Sequence, residues 1–193
     1  CAKRSGQIPF APAQTEVKEK DLIPQERLEF LYTKAYSLLE MKKYAEAKKI
    51  FNSLSNEKNE YSNVATYYSA YIDYLQKNNK SALNGFLKIE ETEEYKDIVP
   101  YYIVQIYYEE KEYKKSLEHG KKMLESNPNN KNNSEVYRIM GECAYRENVF
   151  NEAIVYFGKY EKLAKKLQRN SSYMYGMSFF QEKDYVNAVK YLT

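Results

Sequence analysis

Tyr44-Ala45-Glu46-Ala47-Lys48 decides the reading of this chain, because it returns four times in loosened form. The copies are Asn79-Lys80-Ser81-Ala82-Leu83, Tyr113-Lys114-Lys115-Ser116-Leu117, Phe150-Asn151-Glu152-Ala153-Ile154 and Tyr185-Val186-Asn187-Ala188-Val189. Their small fourth residues stand at 47, 82, 116, 153 and 188, in steps of 35, 34, 37 and 35. A second small or modest residue lies twelve positions before each, at Ala35, Ala70, Val104, Gly141 and Gly176. A bulky apolar residue follows by four positions at Phe51, Phe86, Phe157 and Leu192, with Gly120 as the exception. Small residues on two paired helices let the backbones approach, and the large one fills the groove between neighbouring pairs. Five helix–turn–helix units are therefore expected, a first helix A and a second helix B in each.

Outward from the pentads, helical periodicity runs from Pro24 to Thr193. Pro24 suits the first turn of a helix, where its missing N–H costs nothing. The breaks are short and polar: Ser55–Glu60, Glu91–Glu94, Asn127–Asn133 and Gln168–Ser171. Residues 1–23 lack the period and carry Gly6, Pro9 and Pro12, so they read as an extended or mobile arm. Their apolar Ile8, Phe10 and Val17 would let the arm lie along the first units.

The spacing resembles the tetratricopeptide family over about residues 28–193, whose period is about 34 residues. The units fall at roughly 28–59, 63–94, 97–128, 134–167 and 169–193. The chain departs from the family pattern at Asp73, where an aromatic is preferred, and at Val104 and Ser116 in the third unit. The resemblance implies an all-α, right-handed superhelix with the A helices along its concave face. It also implies that the fifth and ninth positions of each A helix point into that groove, with the twelfth at its floor or edge. Those positions are Tyr32, Tyr36 and Leu39; Tyr67, Tyr71 and Tyr74; Tyr101, Gln105 and Tyr108; Arg138, Glu142 and Tyr145; and Tyr173, Met177 and Phe180. Ten of the fifteen are aromatic against 16% for the chain, so the groove is expected to be a tyrosine-lined trough for a peptide or partner helix. The twelfth positions are expected to be core, and the fifth and ninth to face solvent. Tyr67, Tyr71 and Tyr101 are then expected to be replaceable without loss of helix.

Stretches 99–108 and 135–142 are further similar to long multi-repeat envelope proteins of Bacteroides-like bacteria, described as components of a TonB-linked outer-membrane system. That similarity implies a periplasmic or outer-membrane location and a scaffold role. Cys1 opens the chain as a mature lipoprotein does, which makes it a candidate lipid anchor beside the alternative of a chosen boundary. Helix B of the fifth unit ends soon after Leu192, so further repeats are expected to follow, and the exposed end offers an alternative function as a self-assembly subunit stacking through solenoid ends.

Other chemistry finds little support. The charge is +3 from 30 basic and 27 acidic residues, too balanced for a nucleic-acid surface. No apolar run approaches the roughly 20 residues of a membrane-spanning helix. Cys1, Cys143 and His119 cannot complete a zinc site, and Cys143 sits in an apolar helical pattern as a small core thiol. His119 reads as a surface histidine, and Glu90, Glu91, Glu93 and Glu94 as a solvated turn. With no Gly-rich phosphate loop and no poised nucleophile or base, no enzyme, cofactor or metal is expected.

Overall fold

The computed structural model describes Glu19 and residues 22–192; the expectations for Cys1, Ile8, Phe10, Val17 and Thr193 lie outside the described residues. Ten helices follow one another among the described residues. The A helices are α1 (Pro24–Glu40), α3 (Ser62–Leu75), α5 (Val99–Glu109), α7 (Asn133–Arg146) and α9 (Arg169–Gln181). The B helices are α2 (Tyr44–Asn56), α4 (Asn79–Leu87), α6 (Tyr113–Ser126), α8 (Phe150–Leu163) and α10 (Tyr185–Leu192). Each helix packs on the next, and the A helices α5, α7 and α9 also touch one another directly across units. Close A–A approach puts the A helices on the inside of the array's curve.

Every A–B turn is built the same way. Lys42, Lys77, Lys111, Asn148 and Lys183 adopt positive φ of 59–64°. In the first turn the Lys42 N–H donates to the Leu39 carbonyl and the Lys43 N–H to the Leu38 carbonyl, and the other four repeat both bonds. This pairing satisfies two carbonyls that a helix end otherwise leaves open. Glycine would be easiest at such a φ, yet none of the five is glycine.

The small residues do what their spacing predicts. Ala35, Ala47, Ala82, Val104, Ser116 and Ala153 are wholly buried. A Cβ added at Gly141 would lie 2.7 Å from the Phe157 ring, and one at Gly176 would lie 2.7 Å from Leu192. The bulky B-helix residue thus sits directly on the small A-helix residue of its own unit. It then meets the next unit: Phe51 stacks on Tyr68 at 5.3 Å, Phe86 on Tyr102 at 5.1 Å, and Phe157 meets Tyr175 at 5.5 Å. In the third unit Met140 enters the space left at Gly120, 2.8 Å from where a Cβ would stand. The departures are likewise accommodated. The Ser116 hydroxyl donates to the Val104 carbonyl at 3.0 Å, and buried Asp73 pairs with Lys48.

Three expectations need correction. The break after α4 spans 88–98 rather than 91–94. Glutamates at 90, 91, 93 and 94 would crowd the negative end of α4, and the Thr92 hydroxyl takes the Ile89 carbonyl at 2.8 Å instead. Nor is this a solvated turn throughout: Ile89 is buried, Tyr95 is half-buried and Glu90 is largely covered. His119 is not an open surface residue; its side chain is 20% exposed. Its ring packs 5.1 Å from Tyr107, with Nδ1 3.7 Å from Glu90 Oε2, because the long 88–98 connection folds over α6.

The two ends of the array differ. On the inner A helices, positions such as Ala65, Tyr68 and Ile72, or Val136, Ile139 and Cys143, face the preceding unit. Their counterparts on α1 are half-buried Phe30 and exposed Thr33 and Ser37, a mainly polar cap. At the far end Tyr185, Val186 and Leu192 are exposed, although Leu192 occupies the position buried at Phe51, Phe86 and Phe157.

Candidate trough on the A helices

The trough is built on the inside of the curve, where successive A helices bring their fifth, ninth and twelfth residues side by side. Its first half is a continuous aromatic sheet. Tyr32 lies 6.3 Å from Tyr36 and 5.2 Å from Tyr61. Tyr67 and Tyr71 are parallel, 6.1 Å apart, and Tyr102 meets Tyr67, Tyr71, Tyr74 and Tyr101 at 5.2–6.4 Å. Edge-to-face and offset contacts of this kind fix ring orientation beyond simple burial. The hydroxyls are tied as well. Tyr74 donates to Gln105 Oε1 at 2.8 Å, and Gln105 Nε2 donates to the Tyr101 hydroxyl at 2.8 Å. Burial, then the nearby Glu109 carboxylate, pushes the Tyr74 hydroxyl up to about 12, so it remains a donor at neutral pH.

The second half is ionic, and here the sequence expectation fails. Glu142 does not face solvent; it is 1% exposed. Arg138 Nη1 donates to its Oε1 at 2.6 Å, Ser171 Oγ donates to the same atom at 2.8 Å, and the Tyr108 hydroxyl donates to Oε2. Arg138 in turn holds Glu135 with two bonds of 3.0 and 2.6 Å. Burial works against the Arg138 charge, but the bonds to Glu135 and the Glu142 charge outweigh it and hold the guanidinium more firmly protonated than usual. Burial and the bond to Glu142 push the Tyr108 hydroxyl up to about 12. These groups form a floor rather than a contact surface. A buried carboxylate needs such a set, because an unpaired one costs several kcal/mol.

The twelfth positions are not uniformly core. Leu39 is buried, Tyr74, Tyr108 and Tyr145 are half-buried, and Phe180 is 49% exposed, with no A helix packed over it among the described residues. Tyr36 and Tyr173 are the most open of the fifth and ninth positions, while Tyr32, Tyr67, Tyr71, Tyr101, Gln105 and Met177 are half-buried. Tyr67 is more enclosed than expected, between Tyr95 at 4.9 Å and Phe86 at 6.1 Å, so it is not replaceable without cost. Sequence reasoning missed Tyr61 and Tyr95, which lie in the connections, and Tyr68 and Tyr102, which follow the fifth positions. The last two carried a legible signal: each stands two before the small residue of its A helix.

Nothing else among the described residues gathers chemistry. No group of three His, Cys, Asp or Glu could hold a metal, and no helix is long and apolar enough to cross a membrane. A cleft lined by Glu90, Asp97, His119 and Lys122 has its charges answered within the chain by Asn127 and Glu91. Cys143 is buried, and burial pushes its thiol up to about 11, which leaves it unreactive at neutral pH.

No family model matches the chain, and no curated protein matches it in sequence. Solved structures match its fold. YrrB, described as "a TPR protein with an unusual peptide-binding site", is 16% identical with a TM-score of 0.72, over 88% of this chain and 84% of that one. MamA from Desulfovibrio magneticus RS-1 is 13% identical with a TM-score of 0.70, over 86% and 90%. A tetratricopeptide repeat protein from Parabacteroides merdae is 16% identical with a TM-score of 0.70, over 85% of this chain and 63% of that one. At these identities the likeness establishes an all-α repeat solenoid of the tetratricopeptide type.

Proposed function

We propose that the chain is a non-catalytic scaffold whose trough on the A helices binds an extended protein segment. One observation carries this reading. The rings of α1, α3 and α5 are locked against one another, yet Tyr36, Tyr71 and Tyr101 keep an accessible edge. Rigid aromatic anchors lose little entropy when a partner settles on them, which is what binding hot spots require. An envelope setting rests only on the similarity of stretches 99–108 and 135–142. Stacking of copies through solenoid ends is the weaker reading: the uncovered Phe180, Tyr185 and Leu192 at one end meet a mainly polar α1 at the other.

The test uses displayed random twelve-residue peptides selected on the intact protein. A variant with Tyr36, Tyr71, Tyr101 and Tyr173 all changed to Ser spares enclosed Tyr67. It should keep its helical circular dichroism while selected peptides lose about 100-fold or more in affinity, as the loss of several hot-spot rings implies. Peptides that bind the variant as tightly as the parent would seat elsewhere, and the trough reading would be wrong.

A further inference from the structure

The charges of this protein are sorted by helix type. The A helices carry seven acidic and five basic side chains, the latter being Lys34 and four arginines, whereas the B helices carry five acidic side chains and ten lysines. Five glutamates stand among the trough rings. Glu29 lies by Tyr61, Glu40 by Tyr36 and Tyr71, Glu109 by Tyr74, Glu135 by Tyr101, and Glu142 under Tyr108. Two cations answer them from within: Arg138, held by Glu135 and Glu142, and Lys77, 2.9 Å from Glu109. Arg146, the other arginine of α7, lies over the Tyr113 ring at 5.7 Å. The other turn lysines, Lys42, Lys111 and Lys183, join none of the ion pairs found among the described residues. A chain with net charge +3 therefore presents a trough that is locally acidic.

We infer that the segment this trough takes is basic, an extended peptide carrying lysine or arginine side chains. The inference rests on the trough reading above and adds the chemistry of the occupant. Tyrosine faces attract a cation through the ring quadrupole. Glu29 and Glu40 are exposed and join none of the ion pairs found among the described residues. Alternating rings and carboxylates can thus hold the stem of a long cationic side chain on an aromatic edge while its head meets an oxygen. An acidic segment would meet the unpaired carboxylates of Glu29 and Glu40 over rings whose faces repel anions. Attraction from carboxylates outside any ion pair also acts at a distance, so binding is steered and weakens with salt.

The same displayed library distinguishes the two levels. Peptides are sorted by whether the quadruple Tyr→Ser variant still binds them, which isolates those held by the trough. Among these, lysine plus arginine should be enriched about threefold over the unselected library, with aspartate plus glutamate depleted. The double variant Glu29→Gln and Glu40→Gln, both exposed and outside the core, should weaken a selected basic peptide about fivefold without moving the melting temperature. Trough-dependent peptides that are neutral or acidic would overturn the charge inference and leave the trough reading standing. An unchanged affinity in the double variant would also count against it. A library yielding no trough-dependent peptide would overturn both.

Discussion

Replacing Arg138 by Ala is expected to cost about 3–5 kcal/mol of unfolding free energy, the range for a buried ion pair that loses one partner. Glu142 is 1% exposed, and after the change only the Ser171 and Tyr108 hydroxyls would remain to it. The comparison that identifies the cause is a double variant, Arg138→Met with Glu142→Leu. It removes both charges, keeps the volume, and should recover most of the loss. Urea denaturation at neutral pH measures both variants. A deficit below about 1 kcal/mol would place the floor in water.

Gly141→Leu is expected to cost about 3 kcal/mol, at the upper end of what overpacking a core costs. A single added carbon already meets three Phe157 ring atoms within 2.9 Å, and that ring is wholly buried and pressed on Tyr175. Gly176→Leu is a built-in comparison. Its added carbon meets Leu192 at 2.7 Å and the Ala188 carbonyl at 3.2 Å. Leu192 is 42% exposed and can swing aside, so about 1–2 kcal/mol is expected there. Thermal melts of the two variants would rank them. Equal and negligible shifts would contradict the register of all five units.

This ranking shows which parts of the molecule were legible from sequence. The period, the small residues and the large fillers were readable because a repeat solenoid buries each unit only against its neighbours. The same pattern therefore returns at the same spacing. The A–B turns return with it, but positive φ at Lys42 or Lys77 leaves no mark in residue type. The connection at 88–98 was misjudged because Ile89 and Tyr95 pack on neighbouring units. In the trough, residue type and face were readable at Tyr36, Tyr71 and Tyr101. The fate of Glu142 was half-readable. Glu135, Arg138 and Glu142 fall at i, i+3 and i+7, a spacing that pairs charges along one helix face. What buries the last of them comes from Tyr108 and Ser171, 34 and 29 positions away, and only the assembled array brings those hydroxyls together.

Ring chemical shifts of tyrosine, read by NMR on the intact protein with labelled tyrosine during titration with a selected basic peptide, test the central claim most directly. The trough account predicts saturating shifts at Tyr36, Tyr71, Tyr101 and Tyr173, with Tyr156 and Tyr191 on the B helices unmoved. Shifts confined to the B-helix rings, with those four tyrosines silent, would contradict it.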